Sequence, residues 1–145
     1  MEMLRYYDFA EDDYEAIKIL VNADVVKNVI CYKSQNICEK YLKQIIVNYI
    51  QETDDNIINY TGNLKTHNIA RLINFIKENL SDFSIPACVR DVDGYYFSTN
   101  YPGDNSFKVT KEDVDRCWNA VETCKSFVDA YINSHPDKID EFRSE

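Results

Sequence analysis

Apolar residues recur along this chain at three- and four-residue intervals within several long segments. That spacing places apolar side chains on one face of an α-helix. It predicts long helices over residues 8–25, 26–50, 67–80 and 110–134. A shorter helix is predicted near residues 86–96, whereas residues 51–65 are rich in turn-forming residues and predict a loop. The predicted fold is therefore all-α: an up-and-down four-helix bundle with an additional short helix.

The last predicted helix has the most regular pattern. Its apolar positions alternate three- and four-residue steps over about three heptads, a seam that packs against other helices. They are Val114, Cys117, Val121, Cys124, Val128 and Tyr131. Thr110 and Asp113 approximate a capping box at its start, and Pro136 disfavours helix at the preceding residue, His135.

Two other helix starts carry capping signals. Asp8 is predicted to cap the first helix, with Glu11 in the capping-box position. Thr66 is predicted to cap the third long helix, and His67 opens the apolar pattern that follows it.

Length and charge limit the possible functions. The chain has 145 residues, enough for one domain (residues 1–145) with a core between about residues 8 and 133. Its net charge of −9 opposes non-specific nucleic-acid binding, which needs clustered lysine and arginine. No apolar run approaches the roughly 18 residues of a membrane span, and the N-terminus lacks a signal-peptide pattern. We therefore expect a cytoplasmic protein.

The five cysteines do not form a metal-binding pattern. Cys31 and Cys38 are seven residues apart, as are Cys117 and Cys124, so each pair repeats on one helix face. There is no Cys-x-x-Cys, and neither histidine lies at ligand spacing from a cysteine. We expect reduced cysteines packed in the core, with no metal site and no cofactor.

Three short motifs, in order, resemble the HEPN domain family. Residues 35–43 read Gln-Asn-Ile-Cys-Glu-Lys-Tyr-Leu-Lys, similar to the Q-x-x-x-E-K-x-L-K helix of that family. Residues 66–69 read Thr-His-Asn-Ile, similar to its T-H-D/N-L helix start, and residues 100–102 read Asn-Tyr-Pro where the family often has Arg-Tyr-Pro. The resemblance implies a HEPN-like helical bundle over almost the whole chain.

The resemblance also provides a test for catalysis. HEPN members that cleave RNA carry an arginine followed, after about four to six residues, by a histidine, a pair suited to proton transfer and oxyanion stabilisation. Neither His67 nor His135 has an arginine at that distance, and Asn100 stands where the family often has arginine. We therefore expect no ribonuclease activity. A ribonuclease with a degenerate site is the least favoured reading.

Lysines on the second helix and a histidine are candidate ligand contacts. Lys40 and Lys43, together with Lys33, fall near one helix face and can meet phosphate groups; the alternative is a solvated face compensated by Glu39. His67, at a predicted helix N-terminus, can bind an anion or carry a proton; the alternative is a structural role at the helix entry.

The loop over residues 98–108 is a further candidate surface. Asn100, Tyr101 and Asp104 lie in it, shortly before the N-terminus of the last helix, whose dipole favours an anion. The alternative is an ordinary polar connection between two helices.

Two functions of different kinds remain. The first is a non-catalytic, homodimeric HEPN-like module that binds a nucleotide or similar anion through the residues above. The resemblance also implies a small nucleotidyltransferase as a partner protein, in a toxin–antitoxin-type pair. The alternative is a helical protein–protein interaction module with no small-molecule ligand.

Overall fold

The computed structural model describes residues 4–95, 102–103 and 107–143. Over these residues the chain is helical and contains no strand, which confirms the predicted all-α class. The elements in chain order are α1 (Tyr6–Asn22), α2 (Asn28–Tyr49), α3 (Ile57–Lys65), α4 (Ile69–Asn79), a 3-10 helix (Ala87–Val92), α5 (Lys111–Ser134) and α6 (Ile139–Arg143).

Helix α3 lies in the segment predicted to be a loop, so that prediction was wrong for its second half. Turn-forming residues do precede the helix. The backbone N–H of Thr53 donates to Asn56 Oδ1 at 2.7 Å, immediately before α3 begins. Tyr60 and Asn63 on α3 are then buried. Tyr60 and the partly buried Leu64 thus pack this short helix against the bundle, although its polar residues have low helix propensity.

The predicted short helix is present as the 3-10 helix, and Pro86 stands directly before it. This element and α3 both carry the chain back along the bundle. An ion pair and a hydrogen bond at different points along α1 and α2 show that these two helices are antiparallel. In the ion pair, Asp13 of α1 contacts Lys40 of α2. Asn28 binds the backbone of Val109 at one end, and Tyr49 binds the His135 carbonyl at the other. Helices α2 and α5 therefore run in the same direction.

Helix α2 lies at the centre of the bundle. It contacts α1, α4, α5 and the 3-10 helix, and its side chains are buried on several faces. The heptad seam of α5 packs against it, and every predicted seam residue is buried: Val114, Cys117, Val121, Cys124, Val128 and Tyr131. The cysteines are free thiols, and all except the partly buried Cys88 lie in this core, as predicted.

The start of α1 differs from the prediction. The helix begins earlier, with Arg5 at the N-cap, so assigning the cap to Asp8 was wrong. Asp8 instead occupies the third helical position, where its carboxylate accepts a hydrogen bond from the Arg5 backbone N–H at 2.9 Å. Glu11 takes no part in capping; it accepts a hydrogen bond from Lys125 of α5 at 2.6 Å. Glu11 therefore forms an ion pair with a distant helix instead of the local capping-box hydrogen bond that its spacing predicted.

Of the predicted N-caps of α4 and α5, one was wrong and one is confirmed. The N-cap of α4 is Asn68, whose Oδ1 accepts from the Arg71 N–H at 2.9 Å, so the prediction of Thr66 was wrong. The capping box of α5 is confirmed: Asp113 N–H donates to Thr110 Oγ1 at 3.2 Å, and Thr110 N–H donates to Asp113 Oδ2 at 2.8 Å. Each cap fixes the direction in which its helix leaves the preceding loop.

Candidate functional site

A buried carboxylate on α2 organises the candidate site. The side chain of Glu39 is only 4% exposed. His67 Nδ1 lies 3.1 Å from its Oε1, and Lys43 Nζ, one turn further along α2, lies 3.4 Å from its Oε2. Burial raises the pKa of the Glu39 carboxyl, and the charges of Lys43 and His67 oppose that rise. These three residues, the Glu39 cluster, join α2 to the start of α4.

His67 is the member of the cluster that reaches the surface, with its side chain 42% exposed. Its backbone carbonyl accepts a hydrogen bond from Gln35 Nε2, so α2 holds both the main chain and the ring of this residue. The contact between Nδ1 and the buried carboxylate holds one edge of the imidazole against α2 and leaves Nε2 on the opposite edge of the ring. The ring is thus oriented before any ligand arrives.

A cleft of about 560 Å³ opens beside His67. Its walls come from α2, the end of α3, the start of α4 and the segment after the 3-10 helix. They are Gln35, Lys65, Thr66, His67, Asn68, Ala70, Asp93 and Gly94. Within the part of the chain that the structure describes, Lys65 has neither an ion pair nor a side-chain hydrogen bond. As far as the described residues show, the ammonium of Lys65 is therefore an uncompensated cation next to the oriented imidazole.

The N-terminus of α4 is already bound to a carboxylate of the protein. Asp93 accepts hydrogen bonds from the backbone N–H groups of Ile69, at 2.6 Å, and Ala70, at 3.0 Å. Gly94 follows with a φ of +88°, a left-handed conformation that turns the chain away directly after Asp93. An incoming anion would therefore bind through side chains of the cleft, because the free N–H groups expected at this helix start are occupied.

The structure separates the predicted lysines. Lys40 forms an ion pair with Asp13 of α1, and Lys33 lies 3.9 Å from the same carboxylate. Lys43 is buried at 6% exposure, so the solvated-face interpretation was wrong for that residue. Of the predicted ligand contacts, the structure brings together Lys43 and His67, and it does so through Glu39.

Three predicted contacts, Asn100, Tyr101 and Asp104, lie outside the described residues. The described end of that loop is anchored to α2, because Asn28 Nδ2 donates to the Phe107 carbonyl at 3.1 Å. The last helix is therefore joined to the N-terminus of α2 at the point where the loop ends.

Sequence reasoning missed Asp93 and Lys65, and it considered Glu39 only as a compensating charge on a solvated face, whereas the residue is buried. Glu39 had one signal: it stands four residues before Lys43 on a helix that is apolar on several faces, so a pair at that spacing is a candidate for burial. Asp93 and Lys65 had none, since their roles depend on contacts between separate elements.

Neither a cluster of metal-ligand residues nor a membrane-spanning helix occurs in the described residues. No group of three or more His, Cys, Asp or Glu residues among them is placed to hold a metal ion. None of the helices in residues 4–95, 102–103 and 107–143 combines the length and the apolar character needed to cross a membrane.

Comparison with known families decides the relationship. The model of the HEPN domain matches residues 3–131, a region that covers the bundle through the last buried turn of α5. The chain belongs to the HEPN domain family. No curated protein and no solved structure matches it. Membership confirms the resemblance first suggested by the motifs on α2 and at the start of α4 of this HEPN protein.

Proposed function

We propose that this HEPN protein is a non-catalytic module that binds a nucleotide or similar anion in the cleft beside His67. The observation that carries the proposal is the Glu39 cluster. In this cluster the buried carboxylate of Glu39, paired with the buried ammonium of Lys43, holds the half-exposed imidazole of His67 in one orientation. A buried ion pair is weak support for stability but a precise way to position a side chain.

Binding in this cleft would be modest. The ammonium of Lys65 and the imidazole of His67 are the polar contacts offered to an anion, and exposed contacts of this kind contribute on the order of 1 kcal/mol or less. A few of them give a dissociation constant of roughly micromolar or weaker. The net charge of −9 opposes a multiply charged ligand and makes the affinity salt-sensitive. Lys40 is not included, because its ammonium already pairs with Asp13.

The lack of catalysis follows from the chemistry that RNA cleavage needs. A base must abstract the ribose hydroxyl proton, and a cation must stabilise the charge that develops on phosphorus oxygens. His67 is oriented, but the arginine that accompanies the histidine in RNA-cleaving relatives is absent at the expected spacing. The cation that lines the cleft, Lys65, binds phosphate as a point charge without the bidentate geometry of arginine.

We further propose that the protein is a homodimer that pairs with a small nucleotidyltransferase in a toxin–antitoxin-type system. Exposed apolar side chains are available for association: Leu4 is 63% exposed, Ile19 70% and Ile58 85%. Two-fold pairing is the usual form of self-association. Light scattering at micromolar concentration, where a monomer would contradict the dimer, and co-purification with the product of a neighbouring reading frame test the two parts separately.

One observation favours the second candidate, a helical interaction module without a small-molecule ligand. The groups expected to bind an anion are largely satisfied within the protein: Lys40 by Asp13, Lys43 by Glu39, and the first N–H groups of α4 by Asp93. In this second candidate the cleft results from helix packing and binds no ligand, and the exposed apolar residues bind a partner protein.

Calorimetric titration with a panel of nucleotides separates the two candidates. Nucleotide binding predicts heat that saturates near or above micromolar ligand and is lost in His67→Gln and Lys65→Gln. The matched control is Lys77→Gln, which removes an exposed charge of α4 outside the cleft. Saturable binding that both cleft variants leave intact, or no binding at low salt, would reject this cleft as the site.

A further inference from the structure

A second cleft, of about 450 Å³, is lined by residues of α3 and α4. It shares only Asn68 and Ala70 with the cleft beside His67. We call it the asparagine cleft, after the residue type that recurs in its walls. Its residues are Asn59, Asn63, Asn68, Ala70, Arg71, Asn74, Phe75 and Glu78.

The side-chain oxygen of Asn63, in the wall of this cleft, has no hydrogen-bond donor among the described residues. Its side chain is 3% exposed, and its Nδ2 donates to the backbone carbonyl of Asn59 at 2.8 Å, which fixes the orientation of the amide. The Oδ1 atom is buried and has no hydrogen-bond partner in the described part of the chain. Buried acceptors are nearly always paired. An unpaired acceptor in the wall of a cleft therefore marks the place for a donor from a ligand.

Arg71 supplies a second unmet group. Its guanidinium forms no ion pair and no side-chain hydrogen bond with any residue that the structure describes. It lies against α3 at Gly62, where a Cβ atom would come within 2.6 Å of a terminal guanidinium nitrogen. Glycine at this position lets the guanidinium approach the backbone next to Asn63. The planar fork of arginine is suited to bidentate binding of a carboxylate.

Glu78 lies further along the same side of α4. It is seven residues after Arg71, which corresponds to about 10.5 Å along the helix and returns to nearly the same face. Its carboxylate also has no partner among the described residues. An extended peptide rises about 3.3 Å per residue, so roughly three residues span the distance between the two charges. The cleft thus presents a cation and an anion at a peptide-like separation.

We propose that the asparagine cleft binds the C-terminal segment of a peptide. The free carboxylate contacts Arg71, a main-chain N–H donates to Asn63 Oδ1, and a positive charge about three residues upstream meets Glu78. The amide of Asn59 offers a further donor and acceptor that suit a peptide main chain, and Asn74 offers its Nδ2 donor, because its Oδ1 already accepts from Arg90 at 3.3 Å. A zwitterionic or basic peptide also suits the net charge of −9, which disfavours a polyanion.

The test is an NMR titration of the ¹⁵N-labelled protein with the tripeptide Lys-Ala-Ala. The free acid should shift the side-chain resonances of Asn63 and Arg71. Its C-terminal amide should bind about tenfold more weakly, the ratio that corresponds to one lost contact of about 1.4 kcal/mol. Arg71→Gln should lower affinity for the free acid to a similar degree, and Lys77→Gln, on the same helix but outside the cleft, should not.

A second pair of reagents tests the other end of the cleft. N-acetyl-Ala-Ala-Ala lacks the positive charge, so Glu78→Gln should weaken Lys-Ala-Ala but leave the acetylated peptide unchanged. The proposal is overturned if the amide binds as well as the acid or if the free acid shifts no cleft resonance. It is also overturned if inorganic phosphate or AMP shifts Asn63 and Arg71 with equal affinity. The amide spectrum of each variant shows whether it is folded before binding is measured.

Discussion

Replacing Lys43 by methionine removes the ammonium of the Glu39 cluster while keeping much of the side chain's volume. The carboxylate of Glu39 remains buried, with the imidazole of His67 as its remaining partner in the cluster. Breaking a buried pair on one side costs about 3–5 kcal/mol. The lower end, about 3 kcal/mol, is expected here because the Lys43–Glu39 contact is long at 3.4 Å and His67 remains in place.

This loss is large enough to measure but leaves the protein folded, since domains of this kind have about 5–15 kcal/mol of stability. The expected decrease in the unfolding midpoint is roughly 6–12 °C for a domain of this size. Urea unfolding followed by circular dichroism gives the free energy directly. The matched control is Lys40→Met, which removes the same group three residues earlier from a partly exposed pair with Asp13 and should cost about 1 kcal/mol or less.

Two further measurements isolate the buried charge as the cause. Adding Glu39→Gln to Lys43→Met removes the orphaned carboxylate, so the double variant should recover to within about 1 kcal/mol of the wild type. Burial raises the pKa of Glu39, so its contribution to stability is present below the ordinary value of 4.5 and is lost as pH rises through the folded value. The deficit of Lys43→Met should therefore shrink from about pH 8 to about pH 5. The reasoning is refuted if Lys43→Met costs no more than Lys40→Met, or if the double variant is as unstable as the single one.

Other predictions concern pH, thiol reactivity, capping and catalysis. The hydrogen bond to Asp82 raises the pKa of His135, so its contribution is present below the ordinary value of 6.5 and is lost as pH rises through the folded value. Thermal melts of His135→Gln should differ from wild type most near about pH 6 and least near about pH 9; the opposite trend would contradict the pairing. A thiol reagent should label at most Cys88 rapidly in the native protein, because the other cysteines are buried; several fast thiols would refute the core assignment. Thr110→Ala should cost about 1 kcal/mol in urea unfolding by removing the cap of α5, and a neutral result would show the cap to be dispensable. Rigorously purified protein should not cleave RNA, and activity that disappears in His67→Ala would overturn the non-catalytic assignment.

The helices that sequence alone predicted are those whose periodicity is long and uninterrupted. The seam of α5 extends over many residues, so its apolar face was evident without knowledge of the rest of the fold. Helix α3 buries one aromatic ring, Tyr60, and contains two asparagines, a threonine and a glycine, residues whose local propensity favoured a turn. Packing against the bundle overrode that propensity, and no local pattern carries that information.

The site was less predictable because its contacts join distant positions. The sequence pointed to His67 through the family resemblance and to Lys43 through its place in the motif. The contact that unites them, Glu39 with His67, spans 28 residues. The carboxylate that fills the start of α4, Asp93, comes from 24 residues away. The tertiary fold decides such pairings, so the helix N-terminus that appeared open in the sequence is closed in the structure.

An NMR titration of the ¹³C,¹⁵N-labelled protein with AMP tests the central proposal most directly. If the cleft beside His67 binds the nucleotide, the His67 imidazole and the Lys65 ammonium resonances should shift together along one binding curve. That curve should give a dissociation constant of roughly micromolar or weaker. Lys40, paired with Asp13 on the side facing α1, should not follow that curve. Saturation without any change at His67 and Lys65, or with changes centred on Lys40 instead, would contradict the proposed site.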